Sequence, residues 1–142
     1  MWNDRVAYNS YEIIRCEKIM SPSPAKKHMY IMMNIALIMA NYLRGKKFGR
    51  VFTDNMDVHL PDGTLVKPDL FVVCDRKILK DKATVYGVPD FVVEILSYST
   101  RRRDMTTKKD IYESNGVREY WIVNPFDNQL DEEEKAEIKT DN

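Results

Sequence analysis

Residues 90–123 read DFVVEILSYSTRRRDMTTKKDIYESNGVREYWIV, and this stretch decides the fold. Asp90 to Leu96 is an apolar, β-branched strand with one ionisable residue, Glu94, in its middle. Asp104 to Asn115 fits a helix, with Asp104 suited to the N-cap and Gly116 to the stop beyond the last turn. Arg118 to Val123 is a second strand. Strand, helix and strand in succession predict a parallel pair whose crossover helix packs on the sheet, nearly always with right-handed connectivity. The class implied is α/β, a mixed central sheet flanked by two helices.

The second helix lies upstream. Ile31, Ile35, Ile38, Met39 and Tyr42 recur at helical spacing between about His28 and Arg44, and Gly45 stands where a left-handed cap is cheap. The apolar run Met29–Leu43 is broken by Asn34 and Asn41 and is shorter than the ~20 residues that span a bilayer. It is read as a buried covering helix, with no membrane segment in the chain. Before it, Tyr11–Ile19 alternates like a strand or hairpin arm, stopped by Ser21-Pro-Ser-Pro24. After it, Phe48–Leu60, the turn Pro61-Asp-Gly63 and the run Asp69–Cys74 predict two neighbouring strands joined by a tight loop. Asp75–Tyr86 is a polar connection, and no internal repeat is visible.

The chain has 142 residues, 44% of them hydrophobic, which fits one domain with its own core over 1–126 and excludes a two-domain organisation. The formal charge is zero, but residues 127–142 carry seven acidic residues against Lys135 and Lys139, a net of −5 in a tail expected to fray. Residues 1–126 are therefore +5. With Arg101, Arg102 and Arg103 in a row and the pairs Lys26–Lys27 and Lys46–Lys47, that excess is compatible with a polyanionic partner, although a solvated loop explains any single cluster more simply. Cys16 and Cys74 are the only cysteines, without a CxxC pair or a signal peptide. A disulfide framework and a thiolate zinc site are excluded, and the compartment expected is the cytosol.

Glu94 raises the chemical question. Among Val92, Val93, Ile95 and Leu96 a bare carboxylate is costly, so it reaches water, pairs with a cation or binds a metal. Asp90 is four residues away on the same strand, about 13 Å at ~3.3 Å per residue, too far to share an ion, and reads as a strand-end turn residue. Asp69, on another strand, can stand across the ladder at the ~5 Å spacing of neighbours, where two carboxylates grip one hard cation. Such donors, with a backbone carbonyl and water, suit Mg2+ or Mn2+. On the second helix, the apolar face set by Met105, Ile111 and Tyr112 is centred about 20° from Lys108 and about 80° from Lys109, at ~100° per residue. Lys108 therefore points at the sheet as a charge partner for the carboxylates, catalytic or structural.

These residues carry a resemblance. Pro68-Asp69, Gly87-Val-Pro-Asp-Phe-Val-Val-Glu94-Ile-Leu-Ser97, Ser99-Thr-Arg-Arg-Arg-Asp104, Lys108, Tyr112 and Gly116–Pro125, with Tyr11-Glu-Ile-Ile14, Met20–Pro24 and His28, resemble the Uma family of the PD-(D/E)XK nucleases. The resemblance covers most of the chain. It implies a restriction-endonuclease-like core and divalent-metal hydrolysis of DNA phosphodiester bonds. Its metal ligands would be Asp69, Glu94 and the Ile95 backbone carbonyl, its charged catalytic partner Lys108, and its cation Mg2+ or Mn2+. The residues read by themselves lead to the same two carboxylates and the same lysine. Glu17, His28 and Tyr112 also fall in the similar parts: Glu17 as an added carboxylate at the edge of the site, His28 as a base or, more simply, a helix-capping side chain. Arg101–Arg103 are candidates to hold the DNA backbone.

Two departures stand out. The superfamily's lysine two positions after the glutamate is Leu96 here, so Lys108 on the next helix must replace it. The C-terminus turns acidic where family members continue with further strands. These departures favour the competing class, a nuclease-like module without catalysis that binds nucleic acid or a protein. A homodimer is compatible with double-strand cleavage, with Tyr120–Trp121 as its surface if exposed, and an internal strand explains those aromatics equally.

Overall fold

A computed structural model describes residues 11–20, 26–53, 56–81, 83–97 and 104–125. It begins with a hairpin of β1 (Tyr11–Ile14) and β2 (Glu17–Met20), paired antiparallel. The two-residue connection needs both residues at positive φ, and Arg15 and Cys16 adopt 50° and 64° without the help of a glycine. Ser21–Pro24 lie outside the described residues.

The strand-helix-strand unit stands as the sequence predicts. β8 (Phe91–Ile95) and β9 (Glu119–Val123) pair in parallel from Phe91–Glu119 to Ile95–Val123. Between them, a π-helical turn (Asp104–Lys108) runs into α2 (Lys109–Ser114), and Gly116 follows at φ 89°. The wide π turn changes the phase at the start of this segment. Met105 is consequently exposed, although the predicted apolar face includes it, while Ile111, Tyr112 and Lys108 are buried.

The central sheet is mixed, as expected, and a second sheet accompanies it. β6 (Leu70–Val73) lies antiparallel between β3 (Arg50–Thr53) and β8, giving the order β3-β6-β8-β9. A second sheet, ordered β2-β1-β5-β4-β7, is built from the hairpin, β4 (Val58–His59), β5 (Leu65–Val66) and β7 (Val85–Tyr86). The Phe48–Leu60 stretch therefore divides between the sheets. The Pro61–Gly63 turn joins β4 to β5 rather than reaching the Asp69 strand: Thr64 N donates to Asp62 Oδ1 at 2.9 Å, and Gly63 takes φ 89°. The connection after Cys74 also holds a short 3-10 helix, Arg76–Leu79, capped by Asp75.

Two apolar clusters follow from these layers. One, with Ile14, Val58, Val66, Phe71, Val92, Ile111 and Tyr112, is formed by both sheets and α2. The other packs Met32 of α1 (Lys26–Leu43) onto Leu70, Val93 and Ile95. Alternation along β8 sends Val93 and Ile95 toward α1, and so sends Glu94, in phase with Val92, into the first cluster.

α1 departs from the buried helix expected. Met32 is its one buried residue; Ile35, Ala36 and Met39 pack beside it, whereas Ile38 and Tyr42 of the predicted face are exposed. A segment apolar on every side carries no polar face to fix its phase. No helix among the described residues is long and apolar enough to cross a membrane.

Candidate active site

Glu94 enters the core on β8 and is met there by a phenol and an ammonium. Tyr112 of α2 donates its hydroxyl to Glu94 Oε1 at 2.7 Å, and Lys108 Nζ stands 3.1 Å from the same oxygen. That ammonium also reaches Glu12 Oε1 of β1 at 3.0 Å, and the Lys67 amide donates to the same Glu12 oxygen at 3.0 Å. Glu12, Glu94, Lys108 and Tyr112 are all buried. In so little water each ion pair is strong, and each member left alone would be expensive. Burial, then the Glu94 charge, holds the Tyr112 phenol well above its usual pKa, so it stays a hydrogen-bond donor.

Asp69 sits one step before β6, where the Leu70–Val93 register places it opposite Glu94. Its Oδ2 accepts the Ile95 amide at 2.7 Å, and His28 Nε2, in the first turn of α1, stands 3.1 Å from the same oxygen. The two strands and the start of α1 thus set the Asp69 carboxylate beside the backbone that follows Glu94.

The sequence-predicted residues are distributed as follows. Asp69, Glu94, Ile95, Lys108, Tyr112 and His28 converge. Lys109 is exposed, in agreement with the helical phase that separates it from Lys108. Asp90 stays apart, its Oδ2 accepting the Cys74 amide at 2.7 Å at the strand edge. Glu17 is exposed on β2, the outer strand of its sheet, paired with Ile14. The carboxylate that joins from the hairpin is Glu12. Its signal was present: alternation in Tyr11–Ile14 puts Glu12 on the same face as the core residue Ile14, the argument that singles out Glu94. Arg101, Arg102 and Arg103 lie outside the described residues.

Tyr120 is partly buried and packs on Tyr112 with ring centroids 4.9 Å apart. Trp121 is half exposed, edge-on to Phe91 at 5.0 Å, with its indole nitrogen donating to Glu119.

In comparisons with known proteins, a family model named Uma2 and described as "Putative restriction endonuclease" matches residues 9–135. A crystal structure from Anabaena variabilis, described as a putative nuclease belonging to DUF820, matches with a TM-score of 0.72. The match covers 83% of this chain and 68% of that one at 20% identity, a likeness of fold. No curated protein matches. The α/β architecture is restriction-endonuclease-like.

Proposed function

This chain belongs to the Uma2 family, and from that premise we propose that it is a cytosolic, divalent-metal-dependent endonuclease acting on phosphodiester bonds of DNA. The observation that carries the reading is the placement of Asp69 opposite Glu94 on neighbouring strands. Lys108 Nζ stands 3.1 Å from Glu94 and 3.0 Å from Glu12, and the Ile95 amide holds Asp69 beside them. Two carboxylates set across neighbouring strands can grip one divalent cation, which offsets their charge.

Asp69, Glu94 and the Ile95 carbonyl are the ligands we assign. They are hard oxygen donors suited to Mg2+ or Mn2+. Among the described residues no three His, Cys, Asp or Glu side chains form a ready cage, so water would have to complete the ion's coordination. When bound, such an ion polarises the phosphoryl oxygen and acidifies a water.

The chain's own residues prepare the rest. The Ile95 amide and His28 orient Asp69 through its Oδ2, so the carboxylate is set before substrate arrives. Lys108 holds positive charge beside Glu94, where it opposes negative charge growing on the phosphate, and Glu12 fixes the lysine's position. Tyr112 holds Glu94 by donating to it. Arg101–Arg103 are assigned to the DNA backbone on the strength of their charge.

One observation favours a second reading, a module that binds without cutting: Lys108 is already held by two buried carboxylates, as a purely structural ion pair would be. A nicking assay on supercoiled plasmid with Mg2+, Mn2+ or chelator separates the two. The enzyme nicks only with metal, and Asp69→Ala does not nick. Salt-sensitive DNA binding without cleavage in any metal would establish the second reading instead.

A further inference from the structure

From His28 to Leu43, α1 carries no Asp, Glu, Lys or Arg. Its inner face is accounted for by Met32, Ile35 and Met39 against the sheet. Its outer face is not: Tyr30 is 70% exposed, Met33 57%, Leu37 53% and Ile38 71%. At ~100° per residue these four, with Asn34 and Asn41, fall within about 70° on either side of one line along the helix. Tyr30, Met33 and Leu37 follow the three-four spacing of a helix-packing seam.

We infer that this face is the interface of a homodimer, in which α1 packs against α1 of a second copy across a two-fold axis. Size is the first argument. At roughly 200 Å² for a residue of this size, the four side chains leave about 500 Å² of apolar surface in one patch, which ranks with the largest found on monomers. Two copies bring about 1,000 Å² together, the size at which specific interfaces begin.

The amides are the second argument. Asn34 and Asn41 lie close to the middle line of the stripe. Across a two-fold axis an asparagine can satisfy its amide on its own symmetry mate, the device by which buried asparagines fix register in paired helices. In lipid the same amides would be buried without partners, at a cost. The basic residues stand only at the ends, Lys26 and Lys27 before the stripe and Arg44, Lys46 and Lys47 after it. Helices that cross near Asn34–Leu37 at the common angle of about 50° carry those like charges apart.

Sedimentation equilibrium of the full chain from about 1 to 100 μM tests this, a range that brackets micromolar dimers. The wild type is expected to dimerise, and Leu37→Glu to weaken the dimer ~30-fold or more. In a Cys16→Ser, Cys74→Ser background, Leu37→Cys should form an interchain disulfide far faster than Lys109→Cys on α2. That arm decides the matter if the Leu37→Glu chain does not fold. A wild type that stays monomeric over the whole range, or equal cross-linking at the two positions, overturns the inference. So does a monomeric wild type that sediments with phosphatidylserine-containing vesicles through Leu37, which would make the face a membrane surface.

Discussion

Lys108 Nζ lies 3.0 Å from Glu12 Oε1, with both side chains buried, and the same ammonium stands 3.1 Å from Glu94 Oε1. One cation therefore holds two interior carboxylates, and removing it strands both. Lys108→Ala is expected to lose about 3–5 kcal/mol of stability. Glu12→Gln keeps a polar partner and the Lys108–Glu94 pair, and should lose only about 1–2 kcal/mol. Urea unfolding of both variants measures this; a Lys108→Ala loss under about 1 kcal/mol would show that the ion pairs do not form in solution.

It follows that Lys108→Ala is a poor test of catalysis by itself, because folding and charge are lost together. Lys108→Arg keeps the charge and moves it, since a planar guanidinium does not occupy the place of an ammonium. It should retain a cooperative unfolding transition while cleaving plasmid ~100-fold more slowly. Cleavage at the wild-type rate would remove Lys108 from the chemistry.

Tyr112 predicts a pH dependence. Its folded-state pKa is raised by burial and by Glu94, so the folded chain holds the phenolic proton more tightly than the unfolded chain, where it titrates near ~10. The stability it contributes is present below pH ~10 and is lost as pH rises above that value. Tyr112→Phe should cost about 1.5–3 kcal/mol at neutral pH by removing a donor to a charged group. It should also unfold with a shallower alkaline dependence than the wild type. Parallel pH profiles for the two chains would contradict the assignment.

The β1–β2 turn offers a stabilising change. Cys16 holds φ 64° in a turn that glycine fills without strain, and a left-handed L-residue costs roughly 1–2 kcal/mol. Cys16→Gly is expected to raise stability by about 1 kcal/mol after the added freedom of the unfolded chain is subtracted. Thermal unfolding reads the sign directly.

What was legible in the sequence follows from how strongly each segment fixes its own geometry. The Asp90–Leu96 and Arg118–Val123 strands are continuous and apolar with helix signals between them, so type, order and parallel pairing could all be read. The phase of α2 separated Lys108 from Lys109 even though the π turn exposes Met105. α1 gave existence and length but not orientation, because no charged position between His28 and Leu43 marks an outer face. The short strands around Pro61–Gly63 gave the turn but not its partners, since two-residue strands acquire their neighbours from the whole sheet. Glu12 escaped because one carboxylate in a four-residue strand looks like a solvent-facing position until Lys108 is seen beside it.

The most direct test of the central claim is the single-turnover rate of plasmid nicking as a function of Mg2+ concentration, for the wild type and for Asp69→Asn, which keeps the size of the side chain and removes its charge. The rate should saturate with Mg2+ in the wild type and fall ~1,000-fold or more in the variant. A rate independent of Mg2+, or equal in the two chains, would contradict it.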